Sequence, residues 1–204
     1  MGTWNDRTRR RAAHNAAGFT LIELAVTVAV LALLLAIAFP SFETMVNQNR
    51  LAAASNQVIA TLQQARLEAV RQNRRVMICN SGDGVECQCC ERKWDGLALV
   101  QPVPGQPGTQ PPLAFTRLSA PVELLPGHAF NSHYWTDMVA YRGDGRPARG
   151  PHVRLPKSLP IRVCIPTTRP ANNIRDVMLH ASGRVSVIAS NGNGACRAPD
   201  TTPS

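Results

Sequence analysis

Glu23 is the only ionisable side chain between Phe19 and Phe39, and it sets the first chemical question. From Leu24 to Phe39 there is no charge, and Thr27 is the one polar side chain. A lone carboxylate held in lipid costs several kcal/mol, so it should have a partner. Its own chain offers none nearby. A cut between Gly18 and Phe19 would create one, because the new α-amino group on Phe19 would sit at the membrane surface. A neighbouring copy's Glu23 could then reach it, and the pair would set the register between packed helices.

Cysteine is the second reactive type. Cys79, Cys87, Cys89, Cys90, Cys164 and Cys196 make an even count, which in an oxidising compartment reads as disulfides. Four of them cluster, which leaves Cys164 to pair with Cys196 and tie the C-terminal tail to a strand. Cys79 pairs with Cys87 or with one of Cys89 and Cys90, since adjacent cysteines bond each other only under strain. A zinc site is the competing chemistry. It needs two ligand pairs at short spacing, and neither Cys79 nor His128 supplies the second pair. No metal or other cofactor is expected.

Enzyme signatures are missing: there is no glycine-rich phosphate loop, no Gly-x-Ser-x-Gly and no His-Glu-x-x-His. His14, His128, His133, His152 and His180 are scattered and read as surface or structural residues. The acids after Glu43 are scattered too, so the expectation is a protein that is not an enzyme. The net charge is +9, of which Arg7, Arg9, Arg10 and Arg11 against Asp6 carry +3, leaving +6 beyond residue 18. A basic balance of that size is weak evidence for a polyanion partner, because arginine-rich surfaces are usually just solvated.

Four elements must position these groups. Residues 1–18 form a basic leader, and residues 19–39 an apolar helix long enough to cross roughly 30 Å of hydrocarbon. Positive residues before the run stay cytoplasmic, which places everything after Phe39 in the periplasm. A secretory signal would be cut after its apolar segment, but Pro40-Ser41-Phe42-Glu43 reads as continued helix, with a kink expected at Pro40. Residues 40–74 continue the helix, with Leu51, Ala54, Val58, Leu62, Ala65 and Ala69 at spacings of three and four as a narrow core-facing stripe.

Residues 75–204 are β-rich. Strands are expected at 76–79, 94–100, 113–118, 122–125, 138–141, 153–155, 161–165, 177–180 and 184–188, with a Pro-rich loop over 101–112. Asp144-Gly145 and Ser182-Gly183 mark hairpin turns. The class is α+β: one long N-terminal helix laid against one or two antiparallel sheets.

The stretch Gly18-Phe19-Thr20-Leu21-Ile22-Glu23-Leu24 resembles the prepilin signal of type IV pilins and type II secretion pseudopilins. Ala65-Arg66-Leu67-Glu68-Ala69-Val70, the strand with Cys79, Trp94-Asp95-Gly96 and Ser182-Gly183-Arg184-Val185 resemble the FimT/FimU/GspH branch of minor pilins and pseudopilins. The resemblance implies a pilin-like fold, a prepilin peptidase that cuts after Gly18 and methylates Phe19, and Glu23 as the assembly residue. It implies other subunits and an inner-membrane assembly platform as partners, with the globular domain periplasmic until it enters a pilus or pseudopilus. The reading leans to the pilus over the secretion system.

Some FimT-type minor pilins resemble DNA receptors for natural transformation and use a C-terminal Gly-Arg-x-Arg motif, which makes a DNA-binding minor pilin the alternative reading. Here Gly183-Arg184-Val185-Ser186 lacks the second arginine. Arg184 with Arg175, Arg169 and Arg197 would be the basic face for phosphates. Tyr134, Trp135 and Tyr141 read as core residues instead of base-stacking platforms.

Overall fold

The structure, a computed structural model, describes residues 18–87, 93–101, 112–127, 139–149 and 158–199. The expected strand at 153–155, the Pro-rich loop over 102–111, Cys89, Cys90, His14, His128, His133, His152, Tyr134 and Trp135 lie outside the described residues.

The chain divides into two units, residues 1–39 and 40–204. Helix α1, Leu21–Gln72, contributes to both and is unbroken at Pro40. In the first unit its apolar side chains are exposed from Leu21 to Phe39, and the segment is apolar and long enough to cross a membrane.

In the second unit the helix turns one face inward. Leu51, Ala54, Val58, Leu62, Ala65 and Ala69 are all buried, at 0–4% exposure, so the stripe read from their spacing is the packed one. The small alanines let the backbone come close to the strands beneath it. At the end of the helix Asn73 takes a positive φ of 48°. Arg74 N–H donates to Ala69 O at 3.1 Å and Asn73 N–H to Val70 O at 3.2 Å, which satisfies the last carbonyls.

Among the described residues nine strands follow: β1 Val76–Asn80, β2 Gly96–Val100, β3 Ala114–Arg117, β4 Glu123–Pro126, β5 Val139–Tyr141, β6 Pro147–Arg149, β7 Ser158–Cys164, β8 Ile174–His180 and β9 Val185–Ser190. One antiparallel sheet runs β3-β2-β1-β5-β6 and the other β4-β7-β8-β9. The helix stripe meets Val76, Ile78, Leu97, Leu99, Val139 and Tyr141 of the first sheet. It also meets Leu124, Leu159, Ile161, Val163, Val177 and Leu179 of the second, in one core. The architecture is α+β, one long helix packed on antiparallel sheets.

Two departures from the sequence reading have simple causes. Trp94 is outside β2 and makes an isolated bridge to Leu124, its N–H donating to Leu124 O at 2.8 Å, so it joins the two sheets. Strand β6 was not expected. It is only three residues long and begins with proline, and it forms because the Asp144-Gly145 turn returns the chain beside β5.

Strand β1 is buried along its whole length instead of alternating. Its second face, Met77 and Cys79, meets Ala98, Val100 and Ala140 in a smaller cluster, against which Phe115 and Cys87 pack.

Candidate functional site

Around Glu23 the first unit offers a local arrangement that spacing alone did not reveal. Thr20 precedes the helix, and its N–H and its hydroxyl both donate to Glu23 Oε2, at 2.9 and 2.8 Å. Glu23 N–H in turn donates to Thr20 Oγ1 at 3.2 Å. This is a capping box, in which a threonine and a glutamate three residues on satisfy each other's orphan donors. The expectation that Glu23 has no partner in its own chain is therefore corrected. Its partner is Thr20, and the Thr-x-x-Glu spacing was the signal. Phe19 is 89% exposed and Gly18 has open space around it, so the junction between them is accessible.

Disulfides join Cys79 to Cys87 and Cys164 to Cys196. The first closes the loop after β1 over the small cluster behind the first sheet. That loop is shaped by Asp83, whose Oδ1 accepts from Val85 N–H at 2.9 Å, Glu86 N–H at 3.3 Å and the Ser81 hydroxyl at 3.1 Å. Those bonds, Val85's first, hold the Asp83 carboxyl below its ordinary range. The second disulfide fastens the tail to the end of β7.

Asn173, fully buried, organises the same corner. Its amide nitrogen donates to Ile165 O at 2.9 Å, and its oxygen accepts from Gly192 N–H at 2.8 Å. Among the described residues no group of three His, Cys, Asp or Glu is placed to hold a metal.

The arginines singled out for phosphate binding do not form one face. Arg184 is exposed at the β8–β9 turn. Gly183 beside it has φ of 83°, and its carbonyl accepts from Arg66 Nη1 at 3.4 Å. Arg66 also lies under Gly145, which has φ of 74°, so one helix arginine supports a turn from each sheet. Gly183 is thus explained by the turn and by Arg66.

Arg169 sits in the β7–β8 loop. Its guanidinium meets Glu43 at 3.4 Å, and its carbonyl accepts from the Asn47 amide at 2.8 Å. Residues 47 and 66 are about 30 Å apart along a helix, so Arg169 and Arg184 sit at opposite ends of the domain.

Arg175 stands opposite Val163 and Ala189, on the core-facing side of its sheet, and its Nε is buried without a hydrogen-bond partner. Arg197 is exposed on the other side. Its carbonyl accepts from Arg162 Nη1 at 2.8 Å, while Arg162 grips Asp176 with two bonds of 2.7 and 2.8 Å. With Ile174, Ser190, Asn191, Gly192, Asn193 and Ala195, Arg162 and Arg197 line a cleft of about 480 Å³. Period-two alternation and the register separate what closeness in sequence had grouped.

The family described as type II transport protein GspH matches this chain over residues 54–194, and the prokaryotic N-terminal methylation motif matches residues 13–39. Among solved structures the chain is similar to the type IV minor pilin FimU of Pseudomonas aeruginosa. The identity is 20%, the TM-score is 0.51, and 72% of this chain and 96% of that one are covered. A second similar structure is the minor pseudopilin EpsH from the type 2 secretion system of Vibrio cholerae. There the identity is 10%, the TM-score 0.45, and the coverage 68% of this chain and 95% of that one. No sequence among curated proteins matches the chain. The FimU likeness is one of fold.

Proposed function

We propose that this chain, which belongs to the GspH family of type II transport proteins, is a minor pilin subunit that takes part in type IV pilus assembly. Its family is one of minor pilins and pseudopilins, membrane-anchored proteins that assemble with other subunits of the same kind. In this reading a prepilin peptidase cuts after Gly18 and methylates Phe19. The mature chain then waits in the inner membrane with its globular domain in the periplasm, until the inner-membrane assembly platform draws it into a filament. The chain acts by packing and not by catalysis.

One observation carries the reading: an exposed Gly18-Phe19 junction opens an apolar run, residues 19–39, whose only charge is Glu23. After cleavage the Phe19 ammonium of a neighbour competes with Thr20 for the Glu23 carboxylate. A full charge wins that competition in a low-dielectric setting. Docking of each new subunit is then steered to one register. Replacement Glu23→Val is expected to leave the membrane level of the protein unchanged and to remove it from assembled filaments. Normal incorporation, or a mature N-terminus found by mass spectrometry at Met1 or Gly2, overturns the proposal.

The family's own description favours a second reading, a pseudopilin of a type II secretion system. The packing physics is the same, so a deletion strain separates the two. Loss of surface pili with normal secretion supports the pilus, and loss of secretion with intact pili supports the pseudopilus. The dispersed arginines give no support to nucleic acid as a partner.

A further inference from the structure

Among the described residues, Arg175 Nε is the one buried side-chain nitrogen or oxygen without a hydrogen-bond partner. A buried donor left unpaired costs stability, and it costs most on a charged group. The surroundings of Arg175 do nothing to offset that. On the core-facing side of its sheet it stands in the row Leu124, Val163, Arg175, Ala189, and the next row is Pro126, Ile161, Val177, Val187. Every other member of the two rows is apolar.

No described carboxylate of its own chain balances the charge. Helix α1 carries no acid between Glu43, which meets Arg169, and Glu68, which meets Arg71. Sheet β4-β7-β8-β9 holds two acids. Glu123 pairs with Lys93, and Asp176 lies on the opposite face, where Arg162 grips it. Neither the β7–β8 loop, residues 165–173, nor the tail, residues 191–199, contains an acid. Asp83, Glu86, Asp95 and Asp144 belong to connections of the other sheet.

What would fit follows from the guanidinium. Arg175 is half-buried, and Ala189 beside it on β9 is exposed, so the row opens to solvent at the sheet edge. The Nε–H and one Nη–H of an arginine form a side-on fork that matches the two oxygens of a carboxylate. One guanidinium also balances one negative charge. A phosphate dianion would bring a second charge into apolar rows that hold no second cation.

We propose that Arg175 is a binding site for one carboxylate supplied from outside its own chain. The source is an acidic side chain of a neighbouring subunit, a step that rests on the reading of the chain as an assembly subunit. A free carboxylate ion offers the same chemistry, and the experiment separates the two.

The test uses the full chain extracted in detergent, alone and as the complex recovered with co-produced pilin-type subunits. In the isolated chain, acetate should move the NMR signal of Arg175 Nε–H to saturation, while chloride at equal ionic strength leaves it in place. An Arg175→Lys variant, which lacks that signal, assigns it. In the complex the signal should already be moved, and acetate should add nothing. Arg175→Met removes a cation that the isolated fold leaves unbalanced. It should therefore raise the denaturant midpoint of the isolated chain, yet recover about tenfold less subunit. An arginine with only a structural role would not gain stability on removal.

A signal that acetate moves no more than chloride does, and that the complex leaves in place, overturns the proposal. A lowered midpoint for Arg175→Met overturns it too. That result means a carboxylate of this chain already holds the guanidinium, with Glu91, Asp137 and Asp200 the acids outside the described residues to examine. Saturation by acetate with an unmoved signal in the complex supports the site and overturns the subunit as its source. Failure of the unaltered chain to recover any subunit overturns the assembly reading, and the acetate titration then judges the site alone.

Discussion

Glu23 carries two demands on one carboxylate, and substitutions can separate them. As N3 of a capping box it satisfies Thr20, a role glutamine also fills. As the counter-charge of an incoming Phe19 ammonium it must be ionised, which glutamine cannot be. Glu23→Gln is therefore expected to fail in filament incorporation as badly as Glu23→Val, with the same helix content in detergent. Incorporation of the glutamine variant at the parental level would show that capping alone is needed. Gly183 is the second residue where chemistry and structure divide. At φ of 83° with Arg66 Nη1 3.2 Å from any added Cβ, it has a conformational reason to be glycine. Gly183→Ala should cost about 1–2 kcal/mol, read as a lower midpoint in denaturant, because an L-residue in that region is strained and Arg66 must shift. No anion is needed to explain the position.

Elements respond to their links more than to their own propensities. The tail 191–199 has no regular structure, yet three ties hold it: the Cys164–Cys196 disulfide, the Asn173 bond to Gly192 and the Arg162 bond to Arg197 O. With its cysteines 32 positions apart in sequence, that disulfide restricts the unfolded chain by about 4 kcal/mol, against about 2.5 kcal/mol for the separation of 8 between Cys79 and Cys87. Replacing Cys164 and Cys196 together by serine should lower the denaturant midpoint more than replacing Cys79 and Cys87. The reverse order would mean that the small cluster behind the first sheet depends on its disulfide for packing. Arg162 and Asp176, half-withdrawn from water and bonded twice, belong to the same corner. Losing Asp176 alone strands a cation there and should destabilise by a few kcal/mol.

The main core of the globular unit lies under one helix, and Tyr141 reports on it. Burial pushes its hydroxyl up to about 12, although Arg66 beside it pulls the other way. With the folded value above the unfolded one, the unfolded chain ionises first. The stability that Tyr141 contributes is whole below pH 10 and drains away as pH rises to about 12. A Tyr141→Phe chain should therefore lose stability less steeply across that window in denaturant titrations. The helix stripe from Leu51 to Ala69, the apolar run, the two glycine turns and the α+β class were all legible in the sequence, because each is a pattern along a single element. Local periodicity and turn chemistry repeat within a few residues, so they need no knowledge of neighbours. The Thr20–Glu23 box was equally local and was there to be read. What the tertiary structure decided is everything that depends on which strands lie side by side. It turned Arg175 inward and Arg197 outward, placed Arg169 and Arg184 at opposite ends, made a strand of Pro147–Arg149 and, among the described residues, set β9 at the edge of its sheet. Strand order is set by which apolar faces can share one helix, and that energy is summed across the chain, beyond the reach of any window read along it.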